Sequence, residues 1–393
     1  MRFGFPAGLF GEAMDFSALE LATDDQEFLD RTRQFLAANV TEELLYREHE
    51  TGDGLIEDLH LAMGAEGWLE PEATNAKDGG FTPVQRRIWD LERRRAKVPL
   101  VTWGGTLMIL KAVRQFGSPE LLDEVLPGVY GGEVRFAMGY TEPEGGSDIA
   151  TCKTRAVRDG DEWVINGQKM FTSGAHNCRY IFLLTNTDPT GRRHRNLTMF
   201  LVPTDSPGLE IQGLRTVDGE RTNISYYSDV RIPDRYRLGE VNDGWAVLNG
   251  PLTAEHGAGG ADPVGLADIA TMGSFAALMA ESADEVATQA DIGDGSAAYR
   301  LGRAHARIEA ALSTPGIFGR VAIAQTMRDV APELMDVLGS AAALPSNAEH
   351  LYRWAPLVGI YGGTIDVFRN MIAQYILGLG RPNYSLPKSA SQL

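Results

Sequence analysis

Apolar residues along the first third of the chain recur at helical spacing. In DDQEFLDRTRQFLAANV, at 24–40, Phe28, Thr32, Phe35 and Leu36 fall on one face and acidic residues lead, which predicts an amphipathic helix. IEDLHLAMGAEGW, at 56–68, repeats the pattern. TPVQRRIWDLERRRAKV, at 82–98, opens on Thr-Pro, a cap and first-turn pair, and predicts a helix whose basic end, Arg93 to Arg95, is solvated. The mostly apolar stretch 101–116 predicts a buried helix. Near Val134 the texture changes. Alternating β-branched and aromatic residues take over in EWVINGQKMF, RYIFLLTN, LTMFLVP and NISYYSDVRIP, separated by turn pairs such as Asp159-Gly160, Asn166-Gly167 and Asp188-Pro189. From Gly244 to Leu379 the chain is again rich in Ala, Leu and Met at helical spacing. The expectation is an α+β multidomain protein: a helical domain over 1–134, a small sandwich or barrel over 135–242, and a helical bundle over 243–393.

The composition narrows the function. Of 393 residues, 44% are hydrophobic and 23% charged, the balance of a globular protein with several cores. A net charge of −17 argues against nucleic acid and anionic membrane surfaces as partners, and obliges any phosphate-bearing ligand to find a local patch of N–H dipoles or basic side chains. The two cysteines, Cys152 and Cys178, form no CxxC pair, and the seven histidines show no metal-ligand spacing, so no metal is expected. The first residues do not read as a signal peptide, and no stretch reaches ~18 apolar residues. A cytoplasmic protein with reduced thiols is expected.

Chemistry concentrates in two segments. GYTEPEGGSD, at 139–148, is a Gly- and acid-rich loop entering the strand region, where glycines permit close backbone approach to a ligand and Thr141 and Ser147 offer hydroxyl donors. VINGQKMFTSGA follows at 164–175. Together they resemble the paired signatures of the acyl-CoA dehydrogenase family. The resemblance extends over most of the chain through GWLEP at 67–71, QFGSPELLDEVLPGVYGGE at 115–133, DVRIPDRYRLGEVNDGW at 229–245 and YGGTIDVFRNMIAQYILGL at 361–379.

The resemblance implies the family fold of N-terminal helical domain, middle β-barrel and C-terminal four-helix bundle. It implies FAD as cofactor and an acyl-CoA thioester as substrate, oxidised to the 2-enoyl-CoA. Met138, Tyr140 and Thr141 would line the flavin, and Ser147 would sit near the phosphates and the substrate. Phe171 stands where the family usually has a tryptophan against the flavin ring; it keeps the stacking surface and loses an N–H donor. Thr172 and Ser173 would meet the ring's polar edge. Gly362, Gly363 and Thr364 match the turn that approaches flavin and thioester, with Asp366 beside it. Leu252 and His256 would lie along the acyl or CoA channel. Of the family's two positions for the catalytic base, one is Gly362 here, so the role falls to Glu255 in TAEHGAGG, with Asp366 as second choice. An electron-transfer flavoprotein or similar acceptor would reoxidise the cofactor. Other reactions on the same fold are an acyl-CoA oxidase or a flavin monooxygenase; a non-catalytic partner subunit is the reading from another class.

Two departures bear on assembly. Between Arg237 and Arg300 there is no Lys or Arg, and Glu240, Asp243, Glu255, Asp262, Asp268, Glu281, Asp284, Glu285, Asp291 and Asp294 fill the span. That span covers the place where family members carry an arginine reaching the neighbouring subunit's FAD pyrophosphate. DVLGSAAAL, at 336–344, likewise lacks the family's Gln and second Gly. The chain is thus expected to form a heterotetramer with a second family member, with a homotetramer as the alternative if Arg300, Arg303 or Arg307 takes the vacant position.

Overall fold

The helical spacing at 24–40 produces α1 (Thr23–Asn39), which buries Thr32, Phe35 and Leu36. A computed structural model describes residues 20–380 apart from 54, 99–100, 256–272, 291–292, 294 and 315. After α1 come α2 (Glu42–Thr51), α3 (Glu57–Ala65), α4 (Leu69–Glu72) and α5 (Pro83–Arg95). Thr82 caps α5 with the reciprocal box that its sequence offers: its hydroxyl accepts from Gln85 N and the Gln85 side chain accepts from Thr82 N. The basic end of α5 is not simply solvated. Arg93 lies 15% exposed on Asp90 at 2.6 Å, and Arg95 reaches Glu92 at 2.7 Å. The apolar stretch forms α6 (Val101–Phe116), followed by α7 (Pro119–Gly131).

The strand segments form β3 (Glu162–Lys169), β4 (Tyr180–Asn186), β5 (Leu197–Pro203) and β7 (Arg221–Pro233). Four further strands lie outside them: β1 (Phe136–Gly139), β2 (Arg155–Asp159), β6 (Leu209–Arg215) and β8 (Arg237–Leu238). The eight make one mixed sheet in the order β6-β7-β3-β2-β4-β5-β8, with β1 parallel on β4. Its halves join at one corner, where Arg155 pairs with Asn186 and Asn186 N donates to Thr154 O at 2.7 Å. Then follow α8 (Gly244–Glu255), α9 (Gly273–Gln289), α10 (Gly295–Leu312), α11 (Gly316–Leu338), α12 (Asn347–Trp354) and α13 (Ile365–Met371). Among the described residues two hydrophobic cores result. One runs from the N-terminal helices through the sheet to Val247 and Leu248 of α8; the other lies among the C-terminal helices, around Met279, Ile308 and Met327. No described helix is long and apolar enough to cross a membrane.

A buried charge pair ties the sheet's chemistry-bearing ends. Lys169, at the end of β3, is 0% exposed and donates to Glu142 Oε1 at 2.8 Å. Glu142 also accepts from Lys153 N at 2.7 Å and Thr154 N at 2.9 Å. Burial pushes the Glu142 carboxyl up, but Lys169 and the two backbone N–H groups outweigh it and hold the group at about 2. Cys152 donates to the same carboxylate at 3.3 Å, and burial pushes its thiol to about 11. Both cysteines are free.

Removing one partner leaves an unpaired charge in the interior. Lys169→Met is therefore expected to lower stability by about 3–5 kcal/mol in a denaturant melt, with Lys169→Met/Glu142→Gln recovering much of the loss. The sign with pH follows from the depressed carboxyl. The wild-type advantage is full above about pH 4.5 and disappears as pH falls toward 2. Equal acid sensitivity in wild type and Lys169→Met would refute the assignment.

Candidate active site

β1 ends in the loop that carries the first signature, and β3 ends in the turn that carries the second. Gly139, the last residue of β1, lies buried against β4; a Cβ there would come within 2.8 Å of the Ile181 side chain. Tyr140 packs edge-on against Phe182 at 5.9 Å. The loop folds back on itself through paired backbone bonds between Glu142 and Gly145. The two signatures then join at three places. Met170 N donates to Thr141 O at 2.9 Å, Lys169 Nζ donates to Tyr140 O at 3.2 Å, and Lys169 meets Glu142 as above. Met138 and Thr141 are half-buried and Ser147 is exposed, so the loop presents a partly open face.

Phe171 stands at the rim of that face, 53% exposed and with φ at 58°. Left-handed backbone in a bulky residue costs about 1–3 kcal/mol and persists where the surroundings over-determine it. Here they do. Thr172 N donates to Asn223 O at 2.9 Å, which extends the β3–β7 ladder past its last pair. Gly174 follows at φ 75°, where a Cβ would come within 2.9 Å of Thr102 of α6. Thr172 and Ser173 diverge. The Thr172 side chain is fully buried and its hydroxyl has no partner among the described residues, whereas Ser173 is exposed and shares a 3.0 Å bond with Thr222.

The C-terminal turn is built on the second core. Gly362 and Gly363 adopt φ 60° and 95°, and the Thr364 hydroxyl accepts from Val367 N at the start of α13. Arg320 of α11, 5% exposed, staples the turn. It donates to Tyr361 O at 3.1 Å and Gly362 O at 2.9 Å, with its guanidinium 4.7 Å from the centre of the Phe368 ring. Asp366 is exposed and pairs with Arg369 at 3.5 Å. Leu252 is half-buried on α8. Glu255 is the last residue of α8; its side chain, and His256, lie outside the described residues.

Several contributors carried no local sequence signal. Arg320 lies far from the turn it holds, and His176 bonds Asp53 at 2.9 Å across 123 positions. The arginines proposed as replacements for the missing cofactor contact are engaged within the chain. Arg300 reaches Asp336 at 3.2 Å, and Arg303 and Arg307 pair closely with Glu333 and Asp329. Among the described residues no cluster of His, Cys, Asp and Glu could hold a metal ion.

Comparison with known proteins places this geometry. Residues 137–230 match the family model described as acyl-CoA dehydrogenase, middle domain, and 295–377 match acyl-CoA dehydrogenase, C-terminal domain. The chain is 30% identical to acyl-CoA dehydrogenase FadE26 of Mycobacterium tuberculosis, over 92% of this chain and 98% of that protein. It is 42% identical to acyl-CoA dehydrogenase FadE29 of the same organism over 45% of this chain and 46% of that one. Among solved structures, the Tcur3481-Tcur3483 steroid ACAD is 27% identical at a TM-score of 0.74, covering 93% of this chain and all of that one. The ChsE4-ChsE5 complex from Mycobacterium tuberculosis is 26% identical at 0.73, with the same coverage. Expected from its two signatures and supported along nearly its whole length, the chain belongs to the acyl-CoA dehydrogenase family.

Proposed function

We propose that this chain is an FAD-dependent acyl-CoA dehydrogenase subunit that oxidises the α,β bond of an acyl-CoA to the 2-enoyl thioester. One observation carries the reading. The two signature segments are locked into a single unit that holds the aromatic ring of Phe171 at the surface on left-handed backbone. An exposed, strained aromatic beside an exposed serine fits a flat heteroaromatic cofactor. Phe171 supplies the stacking face and Ser173 a polar contact, with Thr172 seated beneath them. Met138, Tyr140 and Thr141 line the neighbouring loop, and Ser147 lies where a phosphate or the thioester's CoA portion would pass. The Gly362–Gly363–Thr364 turn provides close backbone approach and Asp366 borders it.

The chain's own chemistry is proton abstraction. FAD, when bound, supplies the acceptor for the β-hydrogen. Glu255 takes the α-proton, and hydrogen-bond donors at the thioester oxygen stabilise the enolate character that develops. By the family resemblance, Leu252 and His256 would lie along the acyl or CoA channel.

Assembly is part of the proposal. With Arg300, Arg303 and Arg307 committed to acids on α11, nothing in the 238–299 span replaces the family's cofactor-facing arginine. Each lost charge-assisted bond is worth roughly 1.5–3 kcal/mol. We read the chain as one half of an α₂β₂ heterotetramer whose other half supplies those groups, with an electron-transfer flavoprotein or similar acceptor downstream.

Anaerobic titration with straight-chain and steroid-side-chain acyl-CoAs is expected to bleach the flavin absorbance of the assembled protein; a colourless protein that takes up no added FAD would refute the reading. Glu255→Gln keeps the shape and removes the acceptor, so it should retain FAD and lower the rate of flavin reduction by about 10²-fold or more. Near-wild-type reduction would move the base to Asp366 or elsewhere. Expressed alone, the chain should hold less than one FAD per subunit, and should gain two per tetramer with its partner. An active homotetramer with one FAD in every subunit would overturn the heteromer.

A further inference from the structure

The turn bearing Phe171 and Ser173 is braced from beneath by a chain of directional contacts that ends in another part of the fold. Asn223 of β7 is fully buried and meets Thr172 twice: it accepts from Thr172 N at 2.9 Å and its Nδ2 donates to Thr172 O at 3.0 Å. The second bond assigns the amide's orientation, because an amide oxygen facing a carbonyl makes no bond. The same Nδ2 lies 3.1 Å from His176 Nδ1. An amide NH₂ only donates, so Nδ1 accepts and the ring proton resides on Nε2, which faces Asp53 Oδ1 at 2.9 Å. Burial favours this neutral imidazole, and nearby Arg221 adds to the effect against Asp53. Arg221 stands 3.8 Å from the same carboxylate oxygen.

Asp53 belongs to the loop after α2, not to the sheet. The end of α2 and that loop are fastened to β6 and β7 through their carbonyls, by one main-chain bond and by the Arg215 side chain. Arg221 N donates to Gly52 O at 2.7 Å, and Arg215 donates to Glu50 O at 2.8 Å and Thr51 O at 3.1 Å. Gly52 has φ 63°, and a Cβ there would come within 2.4 Å of Gly219 O, so the loop can sit this close only with glycine at that point. The N-terminal helical segment and the turn are therefore linked by side chains with fixed donor and acceptor ends, not by apolar packing alone.

We propose that Asp53, His176 and Asn223 are positioning residues for the flavin turn. Through them the loop after α2 sets the attitude of Phe171 and Ser173 toward the ring, and with it the cofactor's affinity and electronic environment. The proposal rests on the reading that FAD lies against Phe171. The imidazole is the critical link because it bridges Asn223 and Asp53 with an acceptor on one side and a donor on the other. A side chain that fills the same space without those two ends removes the bonds to Asn223 and to Asp53 together, uncouples the turn from the loop after α2 and lets the strained turn relax.

The test uses the assembled holoprotein with His176→Leu, His176→Gln and Asp53→Ala. FAD affinity by fluorescence, the visible flavin spectrum and the midpoint potential are measured beside thermal melts. His176→Leu and Asp53→Ala are each expected to weaken FAD binding about tenfold, to shift the visible band and potential, and to lower kcat with little change in KM. His176→Gln, whose amide offers an acceptor and a donor, should return affinity and spectrum toward wild type. A folded His176→Leu with wild-type affinity, spectrum and potential overturns the proposal. So does a variant that only melts earlier while its bound flavin keeps the wild-type spectrum and potential. Should His176→Leu fail to fold, Asp53→Ala decides by the same readouts, since that side chain is 25% exposed and lies outside the core. A wild-type protein that takes up no FAD defeats the cofactor reading itself, an outcome distinct from a loaded wild type whose variants do not differ from it.

Discussion

Much of the site depends on the charge pair between Glu142 and Lys169. Both side chains are withdrawn from water, a step that costs several kcal/mol per ion unless geometry restores the lost hydration. Geometry does so here by drawing on three separate stretches of chain. The lysine comes from the end of β3, the carboxylate from the loop after β1, and two backbone N–H groups from Lys153 and Thr154 at the entry to β2. The interaction therefore has a structural consequence beyond its net energy. The loop cannot leave the end of β3 without stranding a charge, so the residues on either side keep a fixed relation. Phe171 lies two positions beyond Lys169, and its exposed ring and left-handed backbone are set by what precedes and follows it: the buried pair on one side, the Thr172–Asn223 bonds on the other.

Legibility in the sequence followed how local the determining interactions are. α1, α5 and α6 were readable because spacing, capping and apolar runs act within a few residues; the box at Thr82 and the continuous apolar face of Val101–Phe116 are examples. β3, β4, β5 and β7 were readable because burial on one or both faces leaves alternation or apolar runs. β6 was not, since none of its side chains is fully buried and the alternation of Leu209 and Ile211 with Glu210 and Gln212 breaks at Gly213. β1 and β8 are too short to carry a period. The site divides in the same way. The two signature segments announced a ligand-facing loop and turn, yet the divergence of Thr172 and Ser173 depends on how β3 continues onto β7, which sequence spacing does not record. Lys169 reads as an ordinary strand lysine until its burial is seen. Arg320 and the Asp53–His176 contact join positions whose proximity is created only by the fold.

The distribution of charge gives the final constraint. With a net charge of −17, the chain can accept an anionic ligand only where basic groups or N–H dipoles are reserved for it. The described C-terminal helices reserve few. The arginines of α10 point to Asp329, Glu333 and Asp336 on α11, and these pairs knit the bundle together while cancelling the field that a pyrophosphate would feel. Arg320, deeply buried, is spent on the carbonyls of Tyr361 and Gly362. On the proposed FAD reading, what the chain keeps is the part of a flavin site that needs shape: the aromatic face, the glycine turns and the strained backbone. What it has turned to internal use is the part that needs positive charge. A dinucleotide cofactor requires both, so under the same proposal the features that would suit this chain to cradle a flavin ring argue for a second chain as the source of the positive charge for its phosphates.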